Sequence, residues 1–152
     1  MHDFPLKLTW QGTTAGPAEH TRNAVASTGQ KPDIPVSAGG AYLGDDTRWN
    51  PEDLFGASLA TCHMLTFLAL AKKVKIDVRR YEDNVSVRIE AVEGVTRVTR
   101  VLLAPTITIA PGSDAEKARV MFEKAHKYCF IANSTTAEVV MEPTVVVEGG
   151  FT

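Results

Sequence analysis

The chain has no concentration of like charge: its 16 basic and 18 acidic residues give a net charge of −2, and neither sign forms a run of five or more. Without such a patch, nucleic acid and anionic membrane are excluded as expected partners on charge grounds. The N-terminal stretch Met1-His2-Asp3-Phe4-Pro5-Leu6-Lys7 lacks a basic segment followed by a long apolar run, so no secretory signal and a cytoplasmic location are expected. The longest apolar stretch, Met64 to Ala71, is interrupted by Thr66 and falls short of the ~20 residues of a bilayer span. No transmembrane segment is therefore expected. Internal repeats and low-complexity tracts are missing as well. Cysteine is scarce, with only Cys62 and Cys129, and without an export signal both are expected as reduced thiols rather than a structural disulfide.

What the chain does have is enough apolar material for one core: 152 residues, 44% hydrophobic, predict a single domain over 1–152. Residues 3 to 11 alternate, with Phe4, Leu6, Leu8 and Trp10 on one side, as a half-buried strand would. Gly12 to Pro17 supplies a turn, and His20 to Ala26 returns as a second strand with His20 and Arg22 on one face. Residues 29 to 49 are rich in Gly, Pro and Asp and read as loop, with a short strand near Ile34 to Ser37. Asn50 as N-cap, Pro51 at the first helical position, and Glu52 and Asp53 in the first turn mark a helix start. That helix reaches about Lys73, and its apolar residues surround most of its circumference, predicting burial on nearly all sides. From Ile76 to Ile109, alternating Val, Ile, Thr and Arg with Gly94 as a turn predict an antiparallel meander of two or three strands. Ser113 with Glu116 reads as a capping box ahead of Ala118, Met121, Phe122 and Ala125 at helical spacing. Cys129 falls at the end of that stripe. Ala137 to Val147, broken by Pro143, reads as a last, edge strand. The fold class is α+β.

The two thiols differ in their expected surroundings. A useful thiol is partly ionised, helped by a cation, a helix N-terminus or a hydrogen-bond donor. Cys62 lies about 18 Å along an unbroken helix from its N-terminus, beyond the reach of the dipole. Either the helix breaks near Gly56 and restarts, or a cation from elsewhere stands close to the sulfur. Glu52 is about 15 Å of rise from Cys62 on a straight helix and on a different face. To join Cys62 it must come round a kink at Gly56 or arrive from another subunit. Cys129, near a helix C-terminus, would have its thiolate disfavoured, which suits a second, resolving thiol.

Asn50-Pro51-Glu52-Asp53-Leu54 followed by Ala60-Thr61-Cys62, then Ala125-His126-Lys127-Tyr128-Cys129 and Asn133-Ser134-Thr135, resembles the OsmC/Ohr family (osmotically induced and organic hydroperoxide resistance proteins). The resemblance covers nearly the whole chain. It implies antiparallel sheets around a long buried central helix and an intertwined homodimer with active sites at the subunit interface. It further implies that Cys62 is the peroxidatic nucleophile, Cys129 the resolver, Glu52 the carboxylate of the site, and Arg22 the activating arginine. Phe130 stands where many relatives have proline directly after the second cysteine, and the long Ala/Gly loop with His20 near Arg22 resembles the OsmC-like branch. The implied activity is reduction of organic hydroperoxides through a Cys62 sulfenic acid and a Cys62–Cys129 disulfide. No metal or bound cofactor is needed, and a dithiol, lipoyl-type for some relatives, is the expected reductant. Leu59, Met64, Leu65 and Phe67 around Cys62 would favour an alkyl hydroperoxide.

Other readings compete. His63 next to Cys62 and His126 near Cys129 suggest zinc, but His63 projects about 100° away from Cys62 around a helix, and the gap between the cysteines fits no usual zinc spacing. A Cys-His hydrolase would need a histidine held by an orienting partner, and none is placed by sequence. From another class, a noncatalytic protein of the same fold could bind an apolar ligand.

Overall fold

The computed structural model describes residues 1–150. Contacts divide the chain into two compact units, Met1–Leu54 and the remainder from Phe55.

In the first unit, β1 (Lys7–Trp10), β2 (Ala24–Ser27) and β3 (Ile34–Val36) form an antiparallel sheet in that order. The expected hairpin is present, but β2 begins at Ala24, so Arg22 precedes the strand instead of lying in it. Every residue of β1 is exposed, and Phe4, Leu6, Leu8 and Trp10 present an uncovered apolar row. After β3 the loop is held by its own polar groups: the Ser37 N–H donates to the Trp49 carbonyl (2.9 Å), the Gly40 N–H to Asp46 (2.6 Å), and the Asp45 N–H to the Ser37 hydroxyl (3.0 Å). Asn50 then starts the long helix as expected. Its Oδ1 accepts from the Asp53 N–H (2.8 Å) while Asp53 accepts from the Asn50 N–H (3.1 Å), a reciprocal cap.

Helix α1 (Pro51–Lys73) is continuous for 23 residues. The break considered at Gly56 does not occur, and the glycine has a packing role instead. A Cβ there would sit 2.7 Å from Val87 Cγ2 and 3.3 Å from Val85 Cγ1, so Gly56 lets the helix lie close to those two valines. By length and composition α1 is apolar enough to cross a membrane, which the short run Met64 to Ala71 understated. Within one chain its burial is a single stripe, Gly56, Leu59, His63, Phe67 and Ala71, rather than the whole circumference. Leu65, 58% exposed, stands on the uncovered side.

The rest of the second unit carries two three-stranded sheets. One has the order β4 (Val78–Asp83), β7 (Pro105–Ile109), β9 (Thr144–Val147), and the other β5 (Ser86–Val92), β6 (Val95–Leu103), β8 (Glu138–Met141). Four strands therefore replace the expected two or three, and they do not form a simple meander. The chain changes sheet twice at one corner, where Asp83 Oδ1 accepts from the Ala104 N–H (2.8 Å) and the Asn84 N–H reaches the Ala104 carbonyl. Glu93 and Gly94, both at positive φ, make the two-residue β5–β6 turn. Pro143 splits the last segment into β8 and β9, which occupy sheet edges as expected. Their pairings with β6 and β7 are parallel, so the sheets are mixed rather than purely antiparallel.

Helix α2 (Ala115–Tyr128) starts one residue later than the capping box suggested: Asp114 is the N-cap and accepts from the Lys117 N–H (3.0 Å). Ser113 instead accepts from the Asp77 N–H (3.1 Å). Ala118, Phe122, Ala125 and Cys129 form its buried stripe. They join Leu59, Phe67, Ala71, Val101, Leu103, Ile107 and Ile109 in one core, in which the rings of Phe67 and Phe122 meet edge to face at 5.9 Å.

Candidate functional site

The two cysteines, far apart in sequence, meet at the border of this core. Cys62 is half-buried at the middle of α1, Cys129 is fully buried at the C-cap of α2, both are free thiols, and Cys62 packs against the core to which Cys129 belongs. Their surroundings push them in opposite directions. Burial raises the Cys62 thiol, but the Ile131 N–H, the Cys129 thiol, the Phe130 N–H and the Thr66 hydroxyl together outweigh it and leave its pKa below the ordinary value. Cys129 is pushed up, first by burial and then by the Cys62 sulfur and its charge, against which the Ala132 and Ile131 N–H groups act. The expected inequality of the thiols is present. Burial and the neighbouring sulfur contribute to it.

Among the described residues, none of the influences on Cys62 is a cation. Arg22 lies in the first unit, where its guanidinium donates to Glu19 (2.9 Å) and to the His20 carbonyl. Glu52 sits in the first turn of α1. With the helix unbroken, Glu52 stays about 15 Å of rise from Cys62. Of the four sequence-derived site residues, the second unit thus brings together Cys62 and Cys129.

The groups that do act on Cys62 come from two places. Thr66, four residues on along α1, lies over Cys62 and donates to its carbonyl oxygen (2.8 Å). That spacing could have been read from the sequence. The second place is the turn after α2. Cys129 leaves the helix in extended conformation (φ −73°, ψ 115°) and a short 3₁₀ turn, Ala132–Ser134, follows. Side chains fasten it: Asn133 Nδ2 donates to the Lys127 carbonyl (3.0 Å) and the Ser134 hydroxyl to the Phe130 carbonyl (2.8 Å), while the Ala132 N–H points at Cys129 Sγ (3.4 Å). Phe130 projects its ring outward at 81% exposure. Backbone donors leave no mark in residue identities, so this part of the site was missed. The apolar surroundings assigned to Cys62 also divide: Leu59 and Phe67 are sealed in the core, Met64 is partly buried and Leu65 is exposed, and Phe130, which was not among them, is exposed as well.

His63, next to Cys62, is fully buried and turned the other way. Its Nε2 lies 2.8 Å from the Phe122 carbonyl, its ring packs on Phe122 at 4.4 Å, and its Nδ1 has no partner. A carbonyl only accepts, so Nε2 carries a proton, and with Nδ1 buried and without an acceptor the ring is held neutral. Burial, and next the His126 ring 6.5 Å away, keep it so against the pull of the Phe122 carbonyl, and its pKa falls below the ordinary value. His63 thus ties α1 to α2 beside the thiol pair.

The profile of the family described as OsmC-like protein matches residues 44–144. Among solved structures, the chain is similar to an OsmC-like protein of unknown function from Vibrio cholerae, at 30% identity and TM-score 0.86, covering 94% of this chain and 99% of that one. It is also similar to an organic hydroperoxide resistance protein from Elizabethkingia anophelis (26% identity, TM-score 0.67, 95% and 97% covered). The fold is shared with the organic hydroperoxide resistance protein OhrB of Bacillus subtilis (22%, TM-score 0.60, 94% and 98% covered). None of the curated proteins matches the chain in sequence.

Proposed function

Given that the chain belongs to the OsmC-like protein family, we propose that it is a thiol-dependent peroxidase that reduces organic hydroperoxides to alcohols in cytoplasmic oxidative stress defence. The observation that carries this reading is that the two free thiols, distant in sequence, share one core, with the surroundings pushing Cys62 toward and Cys129 away from ionisation. The Cys62 thiolate attacks the terminal peroxide oxygen; an S–O bond forms, the O–O bond breaks, and the departing alkoxide takes up a proton to leave as the alcohol. Cys62 is then a sulfenic acid. The Cys129 sulfur, losing its proton, attacks it, forming the disulfide and releasing water, and an external dithiol, lipoyl-type or similar, restores both thiols by exchange. Burial suits Cys129 to the second role, because its thiol stays protonated until an electrophilic sulfur is beside it. The exposed ring of Phe130 favours an alkyl-bearing hydroperoxide over hydrogen peroxide.

In this reading the working form is a homodimer, in which a second copy of the chain covers the open face of α1 and the apolar row of β1, and brings Arg22 and Glu52 to the sulfur. An arginine held by a carboxylate would favour the thiolate and polarise the peroxide. The exposure of Leu65, Phe4, Leu6 and Leu8 supports a partner, since monomers rarely leave such apolar surface uncovered. Replacing Cys62 with Ser should abolish consumption of cumene hydroperoxide, while the unaltered protein loses two thiols per chain on exposure to it. Full peroxide consumption by the Cys62→Ser protein would overturn the proposal.

A further inference from the structure

We propose that the end of α1 carries a second binding site, which takes a small anionic amphiphile, a carboxylate head on a short alkyl tail, in the cavity between the last turn of the helix and the start of β4.

The cavity has a volume of about 340 Å³, within the range of about 300–1,000 Å³ usual for small-molecule sites. Its floor is apolar: Ala71 and Ile76 are buried, Leu68 and Val78 half-buried. Its rim is charged, with Lys72, Lys75 and Asp77 all exposed. Lys72 lies ten residues beyond Cys62 on α1, about 15 Å along the axis, so this place is separate from the thiols.

The carboxylate of the rim is already occupied. Arg79 donates through Nε and Nη2 to the two oxygens of Asp77 (3.0 and 2.9 Å). That leaves the two ammonium groups, and among the described residues neither Lys72 nor Lys75 has a carboxylate partner. The helix end does not need them either. The carbonyls of Leu70, Ala71 and Lys72 accept from the N–H groups of Val74 (3.1 Å), Ile76 (2.9 Å) and Lys75 (3.1 Å), and the Val74 carbonyl accepts from the Lys117 ammonium (3.4 Å). An apolar floor below two unpaired cations is complementary to a molecule with one negative end and a greasy body.

Lys75 carries a second sign of use. The Ile76 and Lys75 bonds close the helix in a Schellman turn, and Lys75 stands where glycine is usual. Its φ is 62°, a left-handed conformation that costs any residue with a Cβ. A lysine held there in spite of that cost, unpaired and at the rim of a cavity, points to a ligand.

The test is an amide-resolved NMR titration of the full chain with octanoate, octanol and acetate. Octanoate should shift the amides of residues 68–78. Octanol, which lacks the charge, and acetate, which lacks the tail, should each bind at least about tenfold more weakly. Lys75→Gly should move two readouts in opposite directions. The urea midpoint rises, because glycine adopts a positive φ freely, while octanoate affinity falls about tenfold. Lys72→Ala should weaken octanoate as well, and Lys124→Ala, on the exposed side of α2, should leave it unchanged. Octanol binding as tightly as octanoate would overturn the site. So would undiminished octanoate binding in both Lys72→Ala and Lys75→Gly, or unmoved amides at millimolar octanoate. Neither thiol nor peroxide enters the titration, so its outcome is independent of the peroxidase reading.

Discussion

Acidification should destabilise the protein through one side chain, His63. The ring is fully buried, neutral, hydrogen-bonded through Nε2 to the Phe122 carbonyl, and without a partner at Nδ1. Protonating Nδ1 would place a charge and an unsatisfied donor among Leu59, Phe67 and Phe122, and opposite His126 on α2, so the folded protein resists it and the pKa is depressed. The unfolded chain has no such resistance and binds its proton near 6.5. Between that value and the lower folded one, the unfolded state holds the extra proton. The stabilisation is therefore complete above 6.5 and is lost as pH falls toward the folded pKa. For one proton the limiting slope is about 1.4 kcal/mol per pH unit, or about 3–6 °C in Tm at this chain length. Thermal unfolding followed by circular dichroism from pH about 7.5 to about 5 should show this slope in the unaltered protein. His63→Leu keeps an apolar side chain there and should flatten the profile, whatever its absolute stability. Parallel loss of stability in both proteins would show that His63 is not the source and would refute the reasoning.

Two further outcomes are expected. Asp114→Ala should cost about 1 kcal/mol in urea unfolding, with faster amide exchange in the first turn of α2, whereas Ser113→Ala should leave that turn's exchange unchanged; the opposite pattern would restore Ser113 as the cap. Leu65→Lys, on the open face of α1, should weaken the proposed dimer by about 100- to 1,000-fold, since two leucines lose their burial, and sedimentation at unchanged mass would argue that this face is not the seam.

Legibility in the sequence followed locality. The start of α1 could be read to the residue because Asn50, Pro51 and Asp53 act within one turn, and the stripe ending at Cys129 was visible because helical period needs no tertiary knowledge. Strand partners were not visible. The periodicity of 78–109 identifies strands, but the crossing at Asp83 and Ala104 is a side-chain-to-backbone contact between distant positions, and no local pattern encodes it. The apolar circumference of α1 was read as complete burial, although composition says only that each face needs cover and not whether the same chain provides it. At the site, Cys62 and Cys129 were legible as residues. The turn amides that add to the effect of burial on their acidity belong to the chain's common backbone, and only the path of the turn distinguishes them.

The parallel pairing of β8 and β9 has a consequence for how the molecule is made. Arg100 lies opposite Glu138 and Thr106 opposite Thr144, so two neighbouring segments close two sheets at once, each against a strand synthesised far earlier. Long loops of this kind close slowly. Until the final segment leaves the ribosome, β6 and β7, with Val101, Leu103, Ile107 and Ile109 along them, present open hydrophobic edges of the sort that recruit other strands. Nascent chains are therefore most exposed to aggregation in the interval between synthesis of α2 and docking of the stretch that flanks Pro143. Variants that slow that docking should lower the soluble yield well before they lower the stability of the finished protein.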